Sequence, residues 1–160
     1  MYKNFVPCLY FPTRIALIDD EQSFLDSMRL RFGGKTVLKT FQNTEVALRY
    51  FKERHQPDTF WERWILERRP PPCFDDFVRD FDIDPYKIRE EIYNNDRFYE
   101  IAVVVVDYAM PGMNGLDFCR AIEKMPFKRL LLTGEADEKI AVNAFNQGLI
   151  HRYIRKDEPD

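Results

Sequence analysis

An acid pair, a lone acid, a hydroxyl and an amine each stand at the end of an apolar run in this 160-residue chain. Asp19-Asp20 follow Arg14-Ile15-Ala16-Leu17-Ile18, and Asp107 follows Ile101-Ala102-Val103-Val104-Val105-Val106. Thr133 follows Arg129-Leu130-Leu131-Leu132, and Lys156 follows His151-Arg152-Tyr153-Ile154-Arg155. Carboxylates gathered in one place repel unless a cation sits among them, and hard oxygen donors with room for water suit Mg²⁺. A carboxylate can also act as a nucleophile toward phosphorus and form an aspartyl-phosphate. Such a transfer depends mostly on in-line positioning and charge neutralisation. A metal could neutralise one side of the phosphoryl group and Lys156 the other, with Thr133 offering a hydroxyl and the small Gly134 leaving room for entry.

The elements that must position these groups can be read as well. The run from Ile101 to Val106 suits a strand buried on both faces, as at the centre of a parallel sheet. Open α/β folds place their ligand sites at the C-terminal edge of such strands, where Asp107 is delivered. Pro111-Gly112 and Gly115 then call for a tight loop before the next helix. Phe24, Leu25, Met28 and Phe32 recur at helical spacing, with Gly33-Gly34 as the stop. Residues 36–41 form a second short strand, and Asn43 caps a helix carrying Val46, Ala47, Tyr50 and Phe51. Leu116, Cys119, Ile122 and Met125 make another helical stripe, as do Ile140, Ala141, Ala144 and Phe145 before Gly148. The alternation implies a doubly wound α/β fold with a five-stranded parallel sheet and helices on both faces.

Composition bounds the function. The length is that of about one domain, and 45% hydrophobic and 32% charged residues are ordinary for a soluble protein. A formal charge of −3 argues against nucleic-acid binding by this segment. Cys8, Cys73 and Cys119 are odd in number, lack metal spacing, and read as free thiols in a reducing compartment. Residues 5–11 are too short and too broken by Pro7 for a signal peptide or membrane span, so a cytoplasmic location is expected. Gly34-Lys35-Thr36 mimics the end of a phosphate-binding loop but lacks its first glycine and leads into a strand. His55 and His151 stand alone, with no sign of metal ligation or phosphotransfer.

Asp19-Asp20, Asp107 with the loop Met110-Pro111-Gly112-Met113-Asn114-Gly115, Thr133-Gly134 and Lys156 together resemble the receiver domain of two-component response regulators. The resemblance implies a flavodoxin-like sheet of order 2-1-3-4-5. It implies that Asp107 is the phospho-acceptor, that Asp20 is a direct Mg²⁺ ligand, and that Asp19 holds the metal mainly through water. The Ala109 carbonyl would complete the protein's share of the shell, and Thr133 and Lys156 would bind the phosphoryl oxygens. Tyr153 matches the family's switch aromatic, while Ala109 and Glu135 occupy positions that tune the lifetime of the aspartyl-phosphate. The implied partners are a histidine kinase or phosphotransfer protein, and an output domain or a second receiver in a phosphorylation-dependent dimer. The implied catalysis is confined to the domain's own phosphorylation and dephosphorylation.

Two features depart from that pattern. Asp20 and Asp107 are about twice as far apart as in an ordinary receiver, and the excess lies at roughly 52–97. Asp58 as a cap with the apolar face of 58–66, and Asp84 with Pro85 before Tyr86 to Tyr93, predict two or three short helices there. The insert's aromatics, among them Trp61, Trp64, Phe74, Phe77 and Phe81, suit either a satellite core or a docking patch. The chain also stops four residues after Lys156, without the family's fifth helix. The expectation is one receiver domain over 1–160, the N-terminal part of a longer regulator. Two other classes compete: an interaction module independent of phosphorylation, and a haloacid-dehalogenase-like phosphohydrolase. The latter wants an acid two residues after its nucleophile, where this chain has Ala109.

Overall fold

The computed structural model describes residues 14–32, 38–54, 65–68, 80–94, 100–134 and 138–156. They divide into two compact units, one holding 14–54 and 100–156 and the other holding 65–68 and 80–94. The first unit is built from β1 (Arg14–Ile18), α1 (Gln22–Phe32), β2 (Leu38–Phe41) and α2 (Thr44–Arg54). After the second unit it resumes with β5 (Ile101–Asp107), α4 (Gly115–Ala121), β6 (Lys128–Thr133), α5 (Glu138–Asn146) and β7 (Arg152–Arg155). Between lie β3 (Ile65–Arg68), β4 (Asp80–Ile83) and α3 (Pro85–Tyr93).

The larger sheet has the order β2-β1-β5-β6-β7 with every pairing parallel. Numbered within that sheet the order is 2-1-3-4-5, the flavodoxin-like arrangement that the resemblance to receiver domains implies. The valine run is its central strand. Residue alternation sends Ala16, Ile18, Val104, Val106 and Leu131 into one cluster, where α2 contributes Ala47 and Phe51 and α4 contributes Leu116 and Phe118. Ala141 and Ala144 of α5 join them. The opposite face places Leu17 and Leu132 against Leu25 of α1, with Phe24, Met28, Val105 and Ile154 half-buried beside them. Period-2 alternation on a two-sided sheet explains why a continuous apolar run was needed here.

Local chemistry sets the helix ends. Asn43 Oδ1 accepts the N–H groups of Glu45 and Val46 at 2.7 and 3.2 Å, capping α2. Asn114 caps α4 through the N–H of Asp117 at 2.9 Å. Gly148 takes φ 72° after α5, where a left-handed residue ends the helix without a Cβ penalty. Arg129 at the start of β6 is 6% exposed, and its guanidinium donates to the carbonyls of Leu149, Glu123 and Gly148 at 2.7, 3.0 and 3.4 Å. It thereby ties the chain leaving α4 and the chain leaving α5 to one strand.

The second unit differs from its expected form. Ile65–Arg68 is a strand, paired antiparallel with Asp80–Ile83 in the register Ile65↔Ile83 to Arg68↔Asp80. Among the described residues of the insert, the expected run of helices is therefore corrected to an antiparallel strand pair followed by α3. α3 follows expectation: Asp84 Oδ1 accepts from the Tyr86 N–H at 2.9 Å, and Pro85 opens the helix. The physical reason for the difference is that Ile65-Leu66 reads equally well in either period over so few residues, and the pairing that decides it is distant in sequence. Residues 58–64, with Trp61 and Trp64, lie outside the described residues, as do Phe74, Phe77, Cys8, Cys73, His55 and Glu135. The same holds for Gly33-Gly34, Lys35 and Thr36.

Candidate functional site

Strand register brings the chemistry-bearing residues to one edge. Ile18 is level with Val106, and Asp107 with Leu132, so Asp19 and Thr133 each leave their strands beside Asp107. Thr133 is level with Arg155, and the Lys156 N–H donates to the Thr133 carbonyl at 3.0 Å. The Asp19 N–H in turn donates to the Phe41 carbonyl at 3.0 Å. Four strands thus fix the backbone under five side chains.

The side chains converge as well. Oxygen atoms of Asp19, Asp20 and Asp107 all lie within 4.8 Å of one another. Asp19 and Asp107 are buried, whereas Asp20 is exposed. Lys156 Nζ stands 2.8 Å from Asp19 Oδ2 and 3.1 Å from Asp107 Oδ2, so one amine bridges two buried carboxylates. Asp19 Oδ1 accepts the Glu21 N–H at 2.9 Å, which turns the chain into α1. The Thr133 hydroxyl is buried and has no hydrogen-bond partner among the described residues, a costly state for a polar group unless a ligand completes it.

The electrostatics follow from burial and pairing. Burial raises the Asp107 pKa above the ordinary carboxylate value, and the charge of Asp19 adds to that rise. The Lys156 amine and the Ala109 N–H oppose it without cancelling it. Burial works against the charged form of Lys156, but its bonds and Coulombic attraction to Asp19 and Asp107 outweigh this and raise its pKa. A compact cluster of acids held around a single cation is chemically suited to receive a second cation or an electron-poor centre.

The loop after Asp107 is held close. The Gly115 N–H donates to the Tyr108 carbonyl at 3.1 Å, and a Cβ on Gly115 would fall 2.3 Å from the Asp107 carbonyl oxygen. Gly112 adopts φ 80°, which glycine allows without strain. Thr44, at the first turn of α2, donates its hydroxyl to the Met113 carbonyl at 3.1 Å.

Asp19, Asp20, Asp107, Thr133 and Lys156 are thus brought together, and Ala109 lies in the adjoining loop with its N–H toward Asp107. Tyr153 is half-buried on β7, level with Leu131 and packed against the larger core cluster. Sequence reasoning missed Thr44, Arg129 and Phe24, whose ring lies 5.1 Å from the Lys156 ammonium. For Phe24 a signal existed, since it falls in the first turn after the acid pair. For Thr44 and Arg129 no local signal distinguishes them from surface residues.

The family model of the response regulator receiver domain matches residues 80–160. Among solved structures, the Legionella pneumophila response regulator LqsR is 39% identical, with a TM-score of 0.72 over 97% of this chain and 41% of its own. A response regulator receiver domain protein of Clostridium thermocellum shares the fold at 23% identity, with a TM-score of 0.57 over 92% of this chain and 84% of its own. The cyclic di-GMP phosphodiesterase response regulator RpfG of Xanthomonas campestris is 33% identical over 63 residues, which are 37% of this chain and 17% of that protein. The chain therefore spans less than half the length of LqsR and of RpfG.

Proposed function

Because the chain belongs to the response regulator receiver domain family, we propose that it accepts a phosphoryl group on Asp107 and uses the added charge to switch a protein interface. The observation that carries this reading is the Lys156 amine bridging Asp19 and Asp107 at 2.8 and 3.1 Å, together with a Thr133 hydroxyl that has no hydrogen-bond partner among the described residues. A carboxylate oxygen of Asp107 attacks phosphorus in line, forming the O–P bond. The bond from phosphorus to the donor breaks with its electron pair leaving on the donor, a histidine imidazole nitrogen or the carboxylate oxygen of an acyl phosphate. An imidazole leaving group then takes a proton from water. Lys156 and Thr133 each donate a hydrogen bond to the phosphoryl oxygens, giving charge-assisted contacts where charge accumulates.

The three carboxylates fit a divalent cation, being hard oxygen donors within 4.8 Å of one another, two of them buried. Asp20 and Asp107 would bind Mg²⁺ directly, with the Ala109 carbonyl, and Asp19 through water. The ion supplies neutralising charge to the phosphoryl group. Drawing Thr133 and Lys156 inward opens a space that Tyr153 fills, which changes the surface offered by α5 and β7. Ala109 and Glu135 tune how long the phosphoryl group stays.

On this reading the domain turns over no external metabolite. Its partners are a histidine kinase or phosphotransfer protein on one side and an output domain or second receiver on the other. Its place is the cytoplasm, and no described helix is long and apolar enough to cross a membrane. A second reading, an interaction module independent of phosphorylation, draws support from α3, where Tyr86 and Tyr93 are 77% and 73% exposed. Incubation with Mg²⁺ and acetyl phosphate followed by intact-protein mass separates the two. One added phosphoryl group, absent from Asp107→Ala and absent without Mg²⁺, is the expected result. No adduct on the folded wild-type protein would refute acyl-phosphate transfer and favour the interaction module.

A further inference from the structure

The geometry points to Phe24 as a positioning residue for the Lys156 amine, a role that rests on the phospho-acceptor reading of Asp107. Lys156 carries its charge on a long flexible stem, and two of its contacts are the carboxylates of Asp19 and Asp107. The Phe24 ring lies 5.1 Å from the same ammonium. An aromatic face attracts a cation through its quadrupole and excludes water from that side, more strongly where the charge is partly desolvated. The Lys156 side chain is 25% exposed, so such a contact counts here.

Phe24 is itself well anchored. The Asp19 side chain accepts the Glu21 N–H, and the Leu25 N–H donates to the Glu21 carbonyl, so the turn that ends in the acid pair also starts α1. The ring packs at the edge of the cluster of Leu17, Leu25 and Leu132, with Ile154 in the same group. Ile154 of β7 packs in the cluster that α1 covers, and Lys156 follows one residue past the end of that strand, with its ammonium against the Phe24 ring. A leucine would serve that apolar cluster equally well. What only an aromatic residue adds is a face for the cation. Phe24 therefore confines the amine to the space above Asp107, so that the approaching phosphoryl group meets a positioned donor and not a mobile one.

The test compares initial rates of acetyl phosphate transfer with Mg²⁺ for the full chain and for Phe24→Leu, Phe24→Tyr, Lys156→Ala and Phe24→Leu/Lys156→Ala. Phe24→Tyr keeps the wild-type rate within about two-fold, and Phe24→Leu is about three- to thirty-fold slower, the range of a partly desolvated cation–aromatic contact. In the Lys156→Ala background the Phe24→Leu loss disappears, because the two residues act as one unit. Wild-type rate in Phe24→Leu overturns the proposal, as does a loss that persists unchanged without Lys156. Phe24→Met replaces Phe24→Leu if the latter melts well below the wild type. The Lys156 ε-methylene protons give a readout that needs no phosphorylation. They are ring-shifted upfield in the wild type and Phe24→Tyr and return to ordinary positions in Phe24→Leu; unshifted wild-type protons overturn the placement. If the wild type takes no phosphoryl group, the receiver reading fails, and the ring–amine placement is decided by the proton shifts alone.

Discussion

Thr44 and Met113 are joined across the domain: the buried hydroxyl at the start of α2 donates to the carbonyl of the loop that follows Asp107, at 3.1 Å. The hydroxyl is the link between a helix and the loop that leads from Asp107 into α4. Thr44→Val keeps the shape and leaves the Met113 carbonyl without this donor. The expected cost is about 1 kcal/mol in urea unfolding, with Thr44→Ser close to wild type.

Gly115 sets a stricter limit. A methyl group there meets the Asp107 carbonyl oxygen at 2.3 Å, and that oxygen belongs to the central strand and cannot swing aside. Gly115→Ala should therefore destabilise by about 1–3 kcal/mol, as overpacking does. Thermal melts measure this, and the phosphorylation rate of the variant should fall with it because the strand end that carries Asp107 must shift.

Cys119 is fully buried in α4, and burial pushes its thiol pKa up to about 12, against the opposing charges of Arg129 and Arg120. The thiolate is the reactive form, so native Cys119 should resist thiol reagents near pH 8. In a Cys8→Ser/Cys73→Ser background, labelling should proceed only on addition of denaturant, at the rate of unfolding. Rapid labelling of the native protein would contradict the packing around α4.

His151 gives a pH signature. Burial first, then the charges of Arg129 and Lys128, hold its pKa below the ordinary 6.5. Its Nδ1 accepts the Arg129 N–H at 3.1 Å, a bond lost on protonation. Between the lowered folded value and 6.5 the unfolded chain binds a proton that the folded chain refuses. Stability from this group is therefore complete above the window and declines as the pH falls through it. His151→Asn, whose amide oxygen can accept the same N–H without titrating, should show a flatter stability profile just below pH 6.5 than the wild type in parallel urea titrations.

The parts of the molecule that were legible in sequence are those governed by local pattern. The four valines before Asp107 became the central strand, and the alternation of apolar runs and helical stripes became the parallel sheet, whose order the family resemblance implied. Asp19, Asp20, Asp107, Thr133 and Lys156 could be found because each closes an apolar run, and parallel strands present their C-terminal ends at one edge. The strand Ile65–Arg68 was not legible, since it exists through pairing with Asp80–Ile83. Thr44 gave no sign either, because its partner is a carbonyl sixty-nine residues away. Phe24 could be placed on the helix but not against Lys156, since that meeting depends on how α1 and β7 pack. Contacts made in three dimensions between single residues leave no period behind.

Arg129 is neutralised by three backbone carbonyls, with no carboxylate among its described contacts. Dissolved ions compete well for a surface pair such as Arg29–Asp26, about half exposed on both sides, because the Debye length shrinks to roughly 3 Å at 1 M salt. They cannot reach a guanidinium sealed among carbonyl dipoles. The clasp that holds the exits of α4 and α5 to β6 is thus indifferent to ionic strength, and the frame around Asp107 stays intact in brines that loosen the outer charge pairs.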